Sequence, residues 1–146
     1  MSTKKTTQLE QIFRKAERVN SQINVKLEEI KYWREFSTKT GIIFDEVKSG
    51  GTRKNRSKIE ESVCKITDIE NALKKDMNEL IELKETAMRI IDRIDEPEYR
   101  FLLIQRYLYG KKWDDVAEVM GYSYGHLVHR MHPRAIEKLK ALEAEN

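Results

Sequence analysis

Between Ser123 and Arg130 the chain sets hydrogen-bonding side chains at helical spacing: Ser123, Tyr124, His126, His129 and Arg130, with Gly125 among them. These residue types suit the edges of base pairs. An arginine can bridge guanine O6 and N7, and a histidine can donate to the same acceptors. Tyr124 could meet a thymine methyl or a phosphate, or equally serve as a core aromatic. Gly125 allows close backbone approach, or simply weakens the helix near its start. Around this group stand Lys111, Lys112, Arg134 and Lys138. Point charges of that kind hold phosphates and set orientation without reading sequence. Catalysis is not indicated. There is no phosphate-binding glycine loop, no nucleophile elbow and no carboxylate pair set apart from ordinary surface charge. Neither enzyme activity nor a cofactor is expected. His126, His129 and His132 recur every three residues, but they spread over about 120° of a helix face. With no cysteine nearby, no metal site is expected from them.

Two short helices and a tight turn are needed to present these side chains. In the stretch WDDVAEVMGYSYGHLVHRMH, residues 113–132, Val116, Ala117 and Met120 are apolar at helical spacing, so a helix is expected over about 112–120. Gly121 can take the positive φ that closes a helix. Ser123 can cap the next helix by accepting an orphan backbone N–H. Leu127, Val128 and Met131 give that second helix its apolar stripe. Ala117 is small where the helices would cross, and Leu127 would fill the angle between them. A helix, a three-residue turn and a second helix with a polar outer face describe the helix-turn-helix, whose second helix enters the major groove. A plain helical hairpin in an α bundle would also fit. Pro133 is expected to end or kink the second helix. A last helix then runs from about Arg134 to Ala144, with Ile136, Leu139 and Leu142 inward.

The expected fold is all-α. Leu9, Ile12, Ala16, Val19, Ile23, Leu27, Ile30 and Trp33 recur at steps of three or four, and no glycine or proline precedes Gly41. That marks one long amphipathic helix. A second is expected from about Lys58 to Ile94, carrying Ile59, Val63, Ile66, Ile69, Leu73, Met77, Leu80, Ala87, Ile91 and Ile94 at near-heptad spacing. The simplest arrangement is an antiparallel coiled-coil hairpin. Residues 38–57 should break the helices. Thr40-Gly41, Ser49 and Gly50-Gly51 are turn chemistry, and Lys48, Arg53, Lys54, Arg56 and Lys58 make this the most basic stretch. Asp95-Glu96-Pro97 marks a boundary, with Pro97 in the first turn of a helix that ends at Gly110. The division is therefore 1–95, a hairpin for oligomerisation or partner binding, and 96–146, the helix-turn-helix domain.

Composition adds limits. Apolar residues make up 39% and charged residues 36%, which favours an elongated helical protein over a large globular core. The net charge of +3 is too mild to announce nucleic acid by itself. A lone cysteine, Cys64, excludes an internal disulfide framework. No apolar run reaches the length of a membrane span, and the polar start lacks a signal-peptide core. A cytoplasmic protein with no membrane partner is expected.

The run from Glu96 to Leu139, EPEYRFLLIQRYLYGKKWDDVAEVMGYSYGHLVHRMHPRAIEKL, resembles region four of bacterial sigma factors. More closely, the chain resembles the small phage-encoded, sigma-region-four-like transcriptional regulators of Gram-positive bacteria, the ArpU/RinA-like late-gene regulators. The matching features are the N-terminal helical hairpin, Arg106-Tyr107, Lys112-Trp113, Met120-Gly121-Tyr122-Ser123 and His132-x-Arg134-Ala135. Two departures stand out. Tyr124 and Gly125 occupy positions that are usually charged in sigma region four. The segment before His132-Pro133 is also one residue longer, so Arg130 falls at a usually apolar position and Met131 takes the inward role.

The resemblance implies a phage or prophage regulator, an activator by expectation, that docks its helix-turn-helix in a late promoter in the bacterial host cytoplasm. Expected partners are double-stranded DNA, host RNA polymerase and a second copy of the chain through the hairpin. Two alternatives belong to other classes. One is a small terminase-like packaging protein. The other is a sigma-like module that binds RNA polymerase with little DNA contact.

Overall fold

In the computed structural model, residues 6–46 and 53–145 are described, with side chains over 6–39 and 56–145. The secondary structure of the described residues is all helical. Helix α1 spans Gln8–Glu46 and α2 spans Arg53–Asp92. Then come α3, Pro97–Leu103, running on as a π-helical turn over Ile104–Leu108, and α4, Trp113–Met120. Next, α5, Tyr124–His126, passes through a second π-helical turn, Leu127–Met131, into α6, His132–Ala144. No helix among the described residues is long and apolar enough to cross a membrane.

Helix α1 begins on a cap. The Thr7 hydroxyl accepts the Glu10 backbone N–H at 3.2 Å, and Thr7 is fully buried. Such a cap satisfies a donor that the first turn cannot. The helix continues past Thr40-Gly41 to Glu46, and α2 already begins at Arg53. The break expected over 38–57 is thus corrected on both sides. A single interior glycine costs about 1 kcal/mol relative to alanine, which a helix as long as α1 carries. Ser49 and Gly50-Gly51, with Lys48, lie outside the described residues.

Contacts divide the chain into two compact units, Arg18–Leu80 and Met1–Glu17 with Ile81–Asn146. In the first, α1 and α2 pack antiparallel. Val19, Ile23 and Ile30 are buried, and Lys26 meets Asp76 at 2.5 Å. Three positions of the apolar stripe differ from expectation. Leu27, Val63 and Met77 are about half exposed, while their neighbours Lys26, Ser62 and Asp76 turn inward. A helix of 3.6 residues per turn can follow a seam by steps of three or four, and here the step of three is taken. Ser62 is tolerated because its hydroxyl donates to the Lys58 carbonyl at 2.9 Å. Farther along α1, Tyr32, Trp33 and Phe36 cluster with centroids 5.2–6.5 Å apart, and the Lys65 ammonium lies 4.7 Å from the Trp33 ring centre.

The second unit holds the largest buried cluster. Leu102, Leu103, Val116, Ala117, Leu127, Met131, Ala135, Ile136 and Leu139 come from the short helices. Leu9 of α1 and Ala87, Ile91 and Ile94 near the start of its second chain segment join them. The chain ends are tied here as well: the Gln8 backbone N–H donates to Glu143 Oε1 at 2.7 Å. Pro97 occupies the first turn of α3, as its missing N–H allows. Arg100 donates to the carbonyls of Ile94 and Asp95, pinning the link between α2 and α3. Instead of staying α-helical up to Gly110, α3 widens at Ile104, where the Tyr109 N–H reaches the Ile104 carbonyl five residues back.

Candidate nucleic-acid interface

The turn between α4 and α5 is built as its residues require. Gly121 sits at φ +75°, where an L side chain is strained. The Tyr122 N–H donates to the Ala117 carbonyl at 3.1 Å and the Gly121 N–H to Glu118 at 3.3 Å, which closes α4 with a Schellman pair. Ser123 has extended backbone and its hydroxyl accepts the His126 N–H at 3.2 Å. Ala117 is nearly buried at the crossing and Leu127 has no exposed surface.

Pro133 does not end the helix. The backbone stays helical through Met131 and His132, and α6 begins at His132 rather than near Arg134. The preceding turn widens instead, so that the His132 N–H reaches the Leu127 carbonyl. A π-helical turn spreads the carbonyls that a tighter turn would press against the proline ring. It also takes up one more residue than an α turn. Leu127 and Met131 are both buried on this turn.

The outward residues follow from that inward pair. Ser123, Gly125, His129 and Arg130 are exposed, and Tyr124 is 48% exposed rather than packed in the core. His126 is half-buried, with its ring 5.2 Å from that of Tyr122. Tyr122 is itself held by its hydroxyl donating to Glu98. A Cβ placed on Gly125 would meet nothing within 4 Å, so open space lies beside it. No acidic residue occurs from Gly121 to Ile136, which leaves this face cationic.

The flanking cations differ among themselves. Lys112 and Arg134 are exposed. Lys111 is half-buried with its ammonium 5.8 Å from the Tyr109 ring centre. Lys138 is committed to Glu96 by an ion pair that lowers the Glu96 pKa and raises its own, and its ammonium also lies over Tyr99.

His132 parts company with His126 and His129. Its Nε2 lies 2.8 Å from the Tyr107 hydroxyl, and its ring is 4.5 Å from that of Trp113. Burial, and then the nearby Arg106 charge, push its pKa down to about 4, so the ring is neutral at pH 7. Burial likewise pushes the Tyr107 hydroxyl up, so both groups are uncharged at pH 7. Among the described residues no histidine, cysteine or carboxylate group is arranged to hold a metal.

Sequence reasoning overlooked the knot around Arg106. Its guanidinium lies 5.3 Å from the Phe13 ring centre and 4.9 Å from that of Trp113, and it donates to the Lys111 carbonyl at 2.8 Å. Phe13 also meets Tyr107 edge to face at 5.3 Å. The available signal was Phe13 itself, a large aromatic one residue off the apolar stripe of α1. The chain matches no protein-family profile, and no characterised protein or solved structure is similar enough to count as a match.

Proposed function

We propose that this protein binds double-stranded DNA in a sequence-dependent manner and regulates late-gene transcription of a phage or prophage, acting as an activator. One observation carries the DNA-binding part. A glycine-closed turn and a serine cap present Ser123, Tyr124, Gly125, His129 and Arg130 outward on an acid-free segment whose Leu127 and Met131 are buried. That arrangement lets a second helix enter a major groove. Arg130 and His129 are then the readers of guanine, with Tyr124 at a thymine methyl or phosphate. Lys112 and Arg134 are the better phosphate contacts, since Lys138 is already paired. The late-gene role rests on the sigma-region-four-like run from Glu96 to Leu139.

Half-exposed Val25, Leu27, Tyr32, Val63 and Met77 support pairing of the hairpin with a second copy or with RNA polymerase. The test is to incubate the protein with fragmented DNA of its source genome and sequence what is retained. Enrichment upstream of a late operon is the expected result. Enrichment beside terminase genes, with ring-sized particles, would replace transcription by packaging. Retention of nothing at any salt would leave only a polymerase-binding module.

A further inference from the structure

Beside the helix-turn-helix lies a cleft of about 370 Å³ lined by Glu10, Phe13, Arg14, Glu17, Arg106, Tyr107, Trp113 and His132. Every one of these residues belongs to the same compact unit. Trp113 is the first residue of α4 and His132 the first of α6, and their rings touch. The cleft is therefore walled by the two segments that carry exposed Lys112 on one side and exposed Arg130 and Arg134 on the other. The remaining wall is the first turns of α1, locked in place by Phe13 between Tyr107 and Arg106.

We propose that this cleft seats a phosphate of the DNA backbone and that Arg14 of α1 is one of its contacts, which rests on the DNA-binding reading above. The donors suit an anion. Arg14 is exposed, and among the described residues no carboxylate pairs with it. Arg106 spends one N–H on the Lys111 carbonyl and keeps the others. Opposing them, Glu10 and Glu17 line the same cleft and repel a phosphate. Their presence makes the sign of each charge change predictable.

The test measures binding of the best-retained duplex to wild type, Arg14→Gln and Glu17→Gln over a series of salt concentrations, with thermal unfolding as a check on folding. Losing one phosphate contact lowers affinity roughly five- to tenfold near 0.1 M salt and reduces the salt slope by about one. R14Q should show both, equally on specific and unrelated duplexes. E17Q should move affinity upward, a result that a merely structural role for Arg14 does not produce. If wild type binds with a steep salt slope and both variants match it, the cleft is not a phosphate seat and the DNA-binding reading stands. If wild type itself fails to bind, both are overturned.

Discussion

His132 shows how a residue type can mislead when its surroundings are unknown. In sequence it is the third of three evenly spaced histidines; in the fold it is a neutral, half-buried ring between Tyr107 and Trp113. Its pKa near 4 in the fold, against about 6.5 when unfolded, fixes the sign of a pH effect. Between those values the unfolded chain binds the proton more readily, so stability rises with pH across the window. This stabilisation is whole above about pH 6.5, drains away as pH falls toward 4, and changes no further below that. Urea midpoints of wild type and His132→Gln between pH 7 and 4 measure it. Wild type should lose the more stability across the window, and parallel curves would sink the assignment. The cap at Ser123 and the close at Gly121 were legible because they depend on one or two residues and their own backbone. The fate of His132 depends on Tyr107, Arg106 and Trp113, whose arrival no local pattern announces. Thr7 falls between the two cases: Thr7-Gln8-Leu9-Glu10 has the spacing of a capping box, a local signal that could have placed the start of α1.

At the scale of elements, heptad counting found both long helices and their antiparallel pairing but misplaced part of the seam. Apolar residues at Leu27, Val63 and Met77 drew the stripe toward themselves, whereas the fold turns Lys26, Ser62 and Asp76 inward. Residue type says which side chains prefer burial, not which ones the register permits to be buried. The Lys26–Asp76 pair follows from that register, with only 25% and 14% of the side chains exposed. Breaking a buried pair strands a charge and costs about 3–5 kcal/mol, and a partly exposed pair should cost less. Asp76→Ala is thus expected to destabilise the hairpin by about 1–3 kcal/mol in chemical denaturation. The double variant Lys26→Leu, Asp76→Leu should recover that loss or exceed the wild type, because the desolvation of both charges is removed. A double variant no more stable than Asp76→Ala would show that the pair is a net source of stability. The same limit explains Pro133. The rule that proline stops a helix holds for an α turn, and here a π-helical turn over Leu127–Met131 precedes Pro133 and lets the helix run on.

For the molecule as a whole, the question is which residues the short helices α3 to α6 need in order to fold. Asp95-Glu96-Pro97 is a sound place to end a helix, and the sequence there reads as a boundary. The buried cluster around Leu102, Leu127 and Leu139 nevertheless includes Leu9, Ile91 and Ile94, each at most 2% exposed. Periodicity showed that these three lie on apolar faces but not what covers them. Truncating one such buried side chain typically costs about 2–5 kcal/mol. A whole domain is stable by only about 5–15 kcal/mol. A fragment of residues 96–146 loses all three at once, together with Ala87 and the Gln8–Glu143 hydrogen bond. It should therefore lack a cooperative thermal transition, whereas the full chain should show one for this unit. Adding back residues 81–95 restores Ile91 and Ile94 but not Leu9, and should leave the fragment less stable than the unit in the full chain. Leu9→Ala in the full chain isolates that last contribution and is expected to cost about 2–5 kcal/mol. A cooperative 96–146 fragment as stable as the full chain's unit would mean that the short helices make their own core, with the ends of α1 and α2 only resting against it.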